Sequence, residues 1–294
     1  MKKEYIYAII SVLLWSTTAT VSKLLLGSLD SMQILLLSSL FSFIFLLIIN
    51  CINGSIKEIK KYKPKDYLII FALGLIGIFL YDLFFYLGIN AMQASQAFII
   101  NYLWPIMTVI FACIILKEKF TLRKIIAIII SFIGVIIVSS NGNILNIDKS
   151  SVMGTVYCML AAILYGLFSV LNKKQNYNKF TSMMLFYFCS FIISLIYVLV
   201  SKKTFIPELS QLFGVLWIGI FTSAIAYTSW ALALAKGDTA RISNIAYLTP
   251  FISLIWTGIV LKEKISLYSV LGLVIIVLGI FIQMKNKNNV ESKR

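Results

Sequence analysis

Histidine is absent from the sequence. With it go the commonest metal ligand and the commonest general base. No H-E-x-x-H, no G-x-x-x-x-G-K-[ST] and no nucleophile elbow occurs. Zinc hydrolysis, ATP-driven pumping by this chain and serine-type hydrolysis therefore lack their parts. The four cysteines, Cys51, Cys113, Cys158 and Cys189, all lie in apolar stretches and match no metal-ligand or C-x-x-C spacing. They read as packing residues, so no metal and no cofactor is expected. Charge is scarce at 13% of residues, with 11 acidic against 26 basic. The polar connections are short, which leaves no room for a soluble domain.

What remains is apolar: 60% of the 294 residues are hydrophobic. They fall into ten runs, at about 5–26, 31–52, 67–89, 93–116, 121–140, 151–172, 180–201, 209–234, 239–261 and 267–284. About 20 apolar residues span a bilayer core, so each run predicts a transmembrane helix. The predicted fold class is an all-α membrane protein of ten transmembrane helices. The first run follows two lysines but is too long for a signal-peptide core and has no small-x-small cleavage site, so it is retained as the first helix.

The net charge of +15 could suggest a polyanion partner, but its placement argues otherwise. With the helices alternating in direction, 20 basic residues fall on the side of the N-terminus and six on the other. That asymmetry is the positive-inside pattern and places both termini in the cytoplasm. The partner it implies is the lipid bilayer, and nucleic acid is not expected.

A long internal repeat organises the chain. Asn101-Tyr102-Leu103-Trp104-Pro105, an apolar run and Leu116-Lys117-Glu118-Lys119 return 145 residues on as Tyr247-Leu248-Thr249-Pro250, an apolar run and Leu261-Lys262-Glu263-Lys264. Gly134 and Gly279 hold the matching place in the next run, while Tyr7, Leu14 and Lys23 recur 150 residues later as Tyr157, Leu164 and Lys173. The duplicated unit is half the protein, giving a first repeat at 1–145 and a second at 146–294. Five helices per unit is an odd number, so the second repeat enters from the opposite face and is inverted. Inverted repeats are the architecture of many secondary transporters, with the binding site near the midplane where the repeats meet. The Leu-Lys-Glu-Lys motifs read as helix exits where lysines snorkel and suit the C-terminal dipole. Pro105 and Pro250 each remove a helical hydrogen bond and predict kinks, whose freed carbonyls need partners.

Among the spans, Asp82 is the lone acid. A carboxylate inside a membrane is costly and points to function, here the binding of a proton or a substrate ammonium. The structural alternative is a carboxyl reaching the outer interface or pairing with a lysine. Gln93, Ala97, Asn101 and Trp104 are spaced to share one helical face, with Tyr102 about 100° away. Trp15 and Ser16 lie in the first helix, Tyr81 precedes Asp82, and Tyr165 matches Trp15 in the sixth. The eighth and ninth runs offer Thr222, Tyr227, Trp230, Asn244 and Tyr247. Helix-interior tyrosine, tryptophan and amides suit a cavity that stacks on a flat or cationic solute and hydrogen-bonds its polar end, although each could also be packing. Asp238 and Arg241 read as a rim pair.

These features resemble the drug/metabolite transporter superfamily, in its ten-helix EamA-type permease branch, over nearly the whole chain. Leu14-Trp15-Ser16-Thr17, the proline in the fourth and ninth helices and the acidic Leu-Lys-Glu-Lys ends carry the resemblance. Within that branch, Asn101-Tyr102-Leu103-Trp104-Pro105, Tyr227-Thr228-Ser229-Trp230, Tyr247-Leu248-Thr249-Pro250 and Tyr81-Asp82 are similar to bacterial aromatic-amino-acid exporters. The segment after Trp230, Ala-Leu-Ala-Leu-Ala-Lys, is less polar than in those exporters. The resemblance implies a non-enzymatic secondary transporter of a bacterial inner (plasma) membrane, exporting amino acids or similar small metabolites by alternating access. A coupling proton and a monomer or homodimer are compatible with it. Uptake or exchange of a quaternary ammonium or other cationic metabolite suits the same residues. A non-transporting membrane partner or receptor is the alternative of another class.

Overall fold

A computed structural model describes residues 3–143, 149–202, 205–236 and 245–284, and every regular element among them is a helix. Eight helices are long and apolar enough to cross a bilayer: α1 (Lys3–Leu26), α2 (Ser31–Ile52), α3 (Pro64–Ala91), α4 (Ala94–Ile115), α5 (Leu122–Ser140), α6 (Lys149–Lys173), α7 (Lys179–Val200) and α8 (Leu209–Trp230). The α8 chain stays helical through Ala226–Lys236. Two shorter apolar helices follow, α9 (Leu248–Val260) and α10 (Leu267–Met284).

The first eight agree with the expected runs to within a few residues. The ninth does not reach its expected length among the described residues. At 13 residues, α9 rises about 20 Å, against about 30 Å of hydrocarbon. Asn244, the Asp238–Arg241 pair and the expected junction of the repeats at 145–146 lie outside the described residues.

Local chemistry sets several helix starts. Asp30 accepts the amides of Met32 and Gln33, both at 2.9 Å, while the Gln33 side chain accepts the Asp30 amide at 3.0 Å. This reciprocal box satisfies amides that the first turn of α2 leaves without partners. Thr121 caps α5 by accepting the Lys124 amide, and Asn178 caps α7 by accepting those of Phe180 and Thr181, neither with a reciprocal bond to its own amide among the described residues. Both Leu-Lys-Glu-Lys copies leave their helix through a lysine in the left-handed region, Lys117 at φ 56 and Lys262 at φ 55.

The packing pairs each helix of the first half with one from the second. Helix α5 packs on α10, α2 on α7, α1 on α8, and α3 with α4 on α6. The α5–α10 seam is made by glycines. A Cβ at Gly134 would lie 2.8 Å from the Gly272 carbonyl oxygen, one at Gly272 2.7 Å from that of Gly134, and one at Gly279 2.8 Å from that of Ala127. Contacts descend along α10 as they rise along α5, so the two helices run antiparallel. The contacts are also reciprocal: Gly134 meets Gly272 and Ile276, while Gly279 meets Ala127 and Ser131, each partner displaced by 145 residues. Along α2 and α7, Ser39 hydrogen-bonds Ser190 at 2.8 Å and Thr181 donates to Asn50 at 3.0 Å, again an antiparallel order.

The outward faces carry apolar side chains, among them Ile125, Ile129, Ile133 and Ile136 on α5 and Val274, Leu278 and Phe281 on α10. A lipid-facing surface is the physical setting in which such a band is stable.

Among the described residues of the spans, regular geometry fails at five places. Helix α1 is interrupted at Thr17, whose hydroxyl accepts the Trp217 indole N–H at 2.9 Å. Helix α3 passes through a π segment at Leu75–Leu80 and α8 through one at Trp217–Ile225. Each holds a glycine pressed on another helix: a Cβ at Gly77 would lie 2.1 Å from the Phe168 ring, and one at Gly219 2.6 Å from the Ser38 carbonyl. Helix α4 breaks at Tyr102 and Leu103, and α9 starts after a turn at Tyr247. The expected kinks at Pro105 and Pro250 are thus breaks. Each proline sits in the first turn of a new segment, the place where a helix tolerates it best.

Candidate functional site

The irregular segments surround one cavity of about 60 Å³. Its walls come from six helices. Helix α1 supplies Trp15 and Thr18; α3 supplies Tyr81, Asp82, Phe85 and Tyr86; α4 supplies Phe98, Asn101, Tyr102 and Trp104. Tyr165 comes from α6, Ile218, Thr222, Ser223 and Tyr227 from α8, and Thr249 from α9. Breaks and π segments are how helices release side chains and backbone groups into a membrane cavity without exposing them to lipid.

The aromatic rings form a connected cage. Trp15 meets Tyr227 edge-on at 5.1 Å, Tyr227 meets Tyr165 at 6.3 Å, and Tyr165 meets Trp104 edge-on at 5.2 Å. Tyr81 lies 4.8 Å from Tyr165, and Tyr102 lies 6.2 Å from Trp104. Edge-to-face geometry of this kind fixes ring planes more firmly than area burial alone.

The polar groups are few and specific. Asn101 donates to the Tyr81 hydroxyl at 3.1 Å, and its own side-chain oxygen has no partner among the described residues. The Trp15 indole N–H is likewise buried without a partner. Asp82 is half-buried at the cavity wall. No lysine, arginine or hydrogen-bond donor among the described residues pairs with its carboxylate, and the cavity lining holds no basic residue. The lysine pair offered as a structural alternative for Asp82 is therefore not found among the described residues.

Tyr102 has a second role. Its hydroxyl donates to the Ala246 carbonyl. Ala246 is four residues before Pro250, so this is the carbonyl the proline frees in the opposite half. The break in α9 is satisfied by a side chain from the break in α4.

Nine of the expected residues, Trp15, Tyr81, Asp82, Asn101, Tyr102, Trp104, Tyr165, Thr222 and Tyr227, meet at the cavity; Trp230 and Tyr247 do not line it. Trp230 lies tilted against Trp15 at 5.4 Å, backing the cage. Tyr247 packs on Phe281 of α10 at 5.0 Å. The expected common face of Gln93, Ala97, Asn101 and Trp104 does not form. Gln93 caps α4 from outside the helix, and the turn at Tyr102 and Leu103 shifts the phase before Trp104. Thr18, Phe85, Tyr86, Phe98, Ile218, Ser223 and Thr249 join the lining without having been singled out by sequence. They are ordinary apolar or hydroxyl residues whose place depends on the breaks.

Solute sites usually enclose about 300–1,000 Å³. At about 60 Å³ this cavity has room for a few waters.

The comparisons with known proteins follow this geometry. The EamA-like transporter family matches the chain twice, over residues 2–140 and 152–284. A Clostridium kluyveri protein named as an uncharacterized transporter is 26% identical across 95% of this chain and 92% of its own. One from Archaeoglobus fulgidus, named likewise, is 28% identical across 78% and 81%. A solved crystal structure superposes with a TM-score of 0.71 over 96% of both chains at 17% identity, a likeness of fold. The relatives are named as transporters and not as enzymes. An all-helical membrane chain that the family matches in both halves, with a cavity walled by helices from each, belongs to the EamA-like transporter family.

Proposed function

We propose that the protein is a secondary transporter that exports aromatic or other neutral amino acids, or similar small metabolites, by alternating access. The solute sits in the aromatic cage between two inverted five-helix halves, 1–145 and 146–294, that span a bacterial plasma membrane ten times with both termini cytoplasmic. The reciprocal, antiparallel glycine seam between α5 and α10 supports the inversion. The charge asymmetry supports the orientation.

One observation carries the substrate class: the Asp82 carboxylate has no protein cation, in a lining with no basic residue. A buried charge without a partner is costly. An ammonium on the solute supplies the missing partner, and a proton supplies it when the solute is gone. The rings of Trp15, Trp104, Tyr165 and Tyr227 stack on the solute's flat or apolar part. The unpartnered Trp15 N–H and Asn101 oxygen offer it a donor and an acceptor. Rocking of the halves about the breaks in α1, α4 and α9 enlarges the cavity toward one face at a time. The same cage and carboxylate also suit a quaternary ammonium solute, which aromatic faces attract directly.

Flux from proteoliposomes loaded with labelled tryptophan, phenylalanine, threonine or choline, with and without a pH gradient, tests the reading. Efflux of tryptophan and phenylalanine with sensitivity to the gradient is expected. Movement of choline alone would replace the amino-acid reading, and no flux of any would remove the assigned cargo.

A further inference from the structure

The connection between α2 and α3 is built on a three-residue period. In Ile56-Lys57-Glu58-Ile59-Lys60-Lys61-Tyr62-Lys63, an apolar residue or tyrosine recurs at 56, 59 and 62, and lysine recurs at 57, 60 and 63. Ser55–Lys61 forms a 3₁₀ helix, in which side chains three apart stack on one edge. Exposure follows the period. Ile56, Ile59 and Tyr62 pack on the core that includes Phe186 and Tyr187 of α7, while Lys57, Lys60 and Lys63 are exposed. At a rise of about 2.0 Å per residue, Lys57 and Lys60 stand about 6 Å apart along the axis. Side-chain bonds hold the segment in place: Ser55 donates to Asn50 Oδ1 at 2.7 Å, and the Tyr67 hydroxyl donates to the Ile59 carbonyl at 3.0 Å.

The acids of this connection are already engaged. Glu58 pairs with Lys61 at 2.6 Å. Asp66 accepts the Lys63 amide at 2.8 Å and the Tyr177 hydroxyl at 3.1 Å. Among the described residues, no carboxylate lies within ion-pair distance of Lys57, Lys60, Lys63 or Lys65. The Tyr177 ring, 5.2 Å from that of Tyr62, brings the α6–α7 connection alongside, and with it the exposed Lys173, Lys174 and Lys179. The helices at either end of the ridge carry exposed apolar side chains, Ile48 and Ile52 on α2 and Leu68 and Phe71 on α3. The matching connection of the second half, between α7 and α8, holds only Lys202 and Lys203 and has no such period.

We propose that this ridge is a binding site for an anionic phospholipid, with the phosphate on Lys57, Lys60 and Lys63 and the acyl chains on the exposed apolar side chains of α2 and α3. Clustered lysines beside the end of a membrane span attract anionic headgroups. The ridge lies where two spans end, which is the depth of the headgroups. A soluble phosphate or a nucleic acid could meet the charges, but it has nothing to lay against Ile52 or Leu68. The positive-inside pattern accounts for lysines on this side of the molecule. It does not account for their three-residue period, or for a row that the neighbouring acids leave without partners. The inference is independent of the cargo.

The test is thermal unfolding of the full chain in detergent, titrated with phosphatidylglycerol, phosphatidylcholine or glycerol 3-phosphate. Phosphatidylglycerol should stabilise the protein at concentrations at least about ten-fold below phosphatidylcholine, and glycerol 3-phosphate should leave it unchanged. Replacing Lys57, Lys60 and Lys63 together by glutamine should weaken the phosphatidylglycerol effect roughly 100-fold, at about five-fold for each lysine. The response to phosphatidylcholine should not move. Arginine at the same three positions keeps the charges and should keep the preference. Lys117→Gln, Lys119→Gln and Arg123→Gln together remove as many charges from the α4–α5 connection and should weaken binding by less than about five-fold. Equal losses in the two glutamine variants, or loss of the preference in the arginine variant, would overturn the site. Equal stabilisation by the two lipids would overturn its anionic headgroup, and stabilisation by glycerol 3-phosphate at the concentrations of phosphatidylglycerol would replace the lipid with a soluble anion.

Discussion

Asp82 in α3 and Tyr227 in α8 follow π segments that end 145 residues apart, at Leu80 and Ile225, and both face the cavity. One half presents a carboxylate where the other presents a phenol. The same contrast runs along the lining: Trp15 stands opposite Tyr165, Trp104 opposite Thr249, and Asn101 corresponds to Ala246, whose contribution is its carbonyl. Helix α1 breaks at Thr17, whereas α6 runs 25 residues without interruption. Far from the cavity the halves converge again, in the glycine seam and in the two left-handed lysines. The seam and the helix exits are thus common to the two halves, while the lining is asymmetric, with its carboxylate on one side only.

The comparison breaks most visibly at the acid. Asp82→Asn is expected to lower amino-acid flux roughly 10- to 100-fold, the scale of a desolvated charge-assisted contact, and to remove its response to a pH gradient. Tyr227→Phe at the matching position should cost only a few-fold. Equal losses in a proteoliposome flux assay would mean that the halves contribute alike.

The seam tests the shared part. Gly134→Ala and Gly279→Ala each drive a Cβ against a carbonyl 2.8 Å away. Each should lower stability by about 1–3 kcal/mol, as overpacking does, and by similar amounts. Thermal unfolding in detergent measures both; a loss at one site alone would show that the seam is not reciprocal.

Next in size is the bond between the breaks. Tyr102→Phe leaves the Ala246 carbonyl unpaired and should cost about 1–3 kcal/mol. Pro250→Ala returns an N–H to that carbonyl, so the same change should cost about 1 kcal/mol less in its background. A double-mutant cycle without coupling would separate the two breaks. The smallest effect is expected for Tyr81→Phe, which removes the hydroxyl accepting from Asn101. A loss of about 0.5–1.5 kcal/mol follows from one neutral hydrogen bond.

Much of this was legible in the sequence, for identifiable reasons. Long apolar runs mark spans because lipid permits little else, and Asp82 stands out because charge in a span is rare. The repeat shows itself in Tyr-Leu-x-Pro and Leu-Lys-Glu-Lys, and the two prolines mark the breaks in α4 and α9. The remaining irregularities leave no such mark. Thr17 interrupts α1 without proline or glycine, held by an indole 200 residues away. The π segments depend on Gly77 meeting Phe168 and Gly219 meeting Ser38, contacts visible only once helices are placed. Gln93 could not be separated from Asn101 and Trp104 by spacing alone, since their common face assumes an unbroken helix. Trp230 and Tyr247 have the chemistry of the cage but back it or pack against α10. Glu263 reads as a helix exit because the amides it accepts from, Ala94 at 2.7 Å and Ser95 at 3.0 Å, lie in the other half.

The central claim, that the lone carboxylate of an otherwise aromatic cavity is met by a solute ammonium, is tested most directly by binding of three related solutes to the purified protein. Tryptophan, tryptamine and indole-3-propionate share the ring and differ in which charge they carry. Tryptamine, which keeps the ammonium, should bind within a few-fold of tryptophan. Indole-3-propionate, which keeps only the carboxylate, should bind at least about 100-fold more weakly, near the upper end of the range for a charged hydrogen bond. Tight binding of indole-3-propionate with loss of tryptamine would contradict the account.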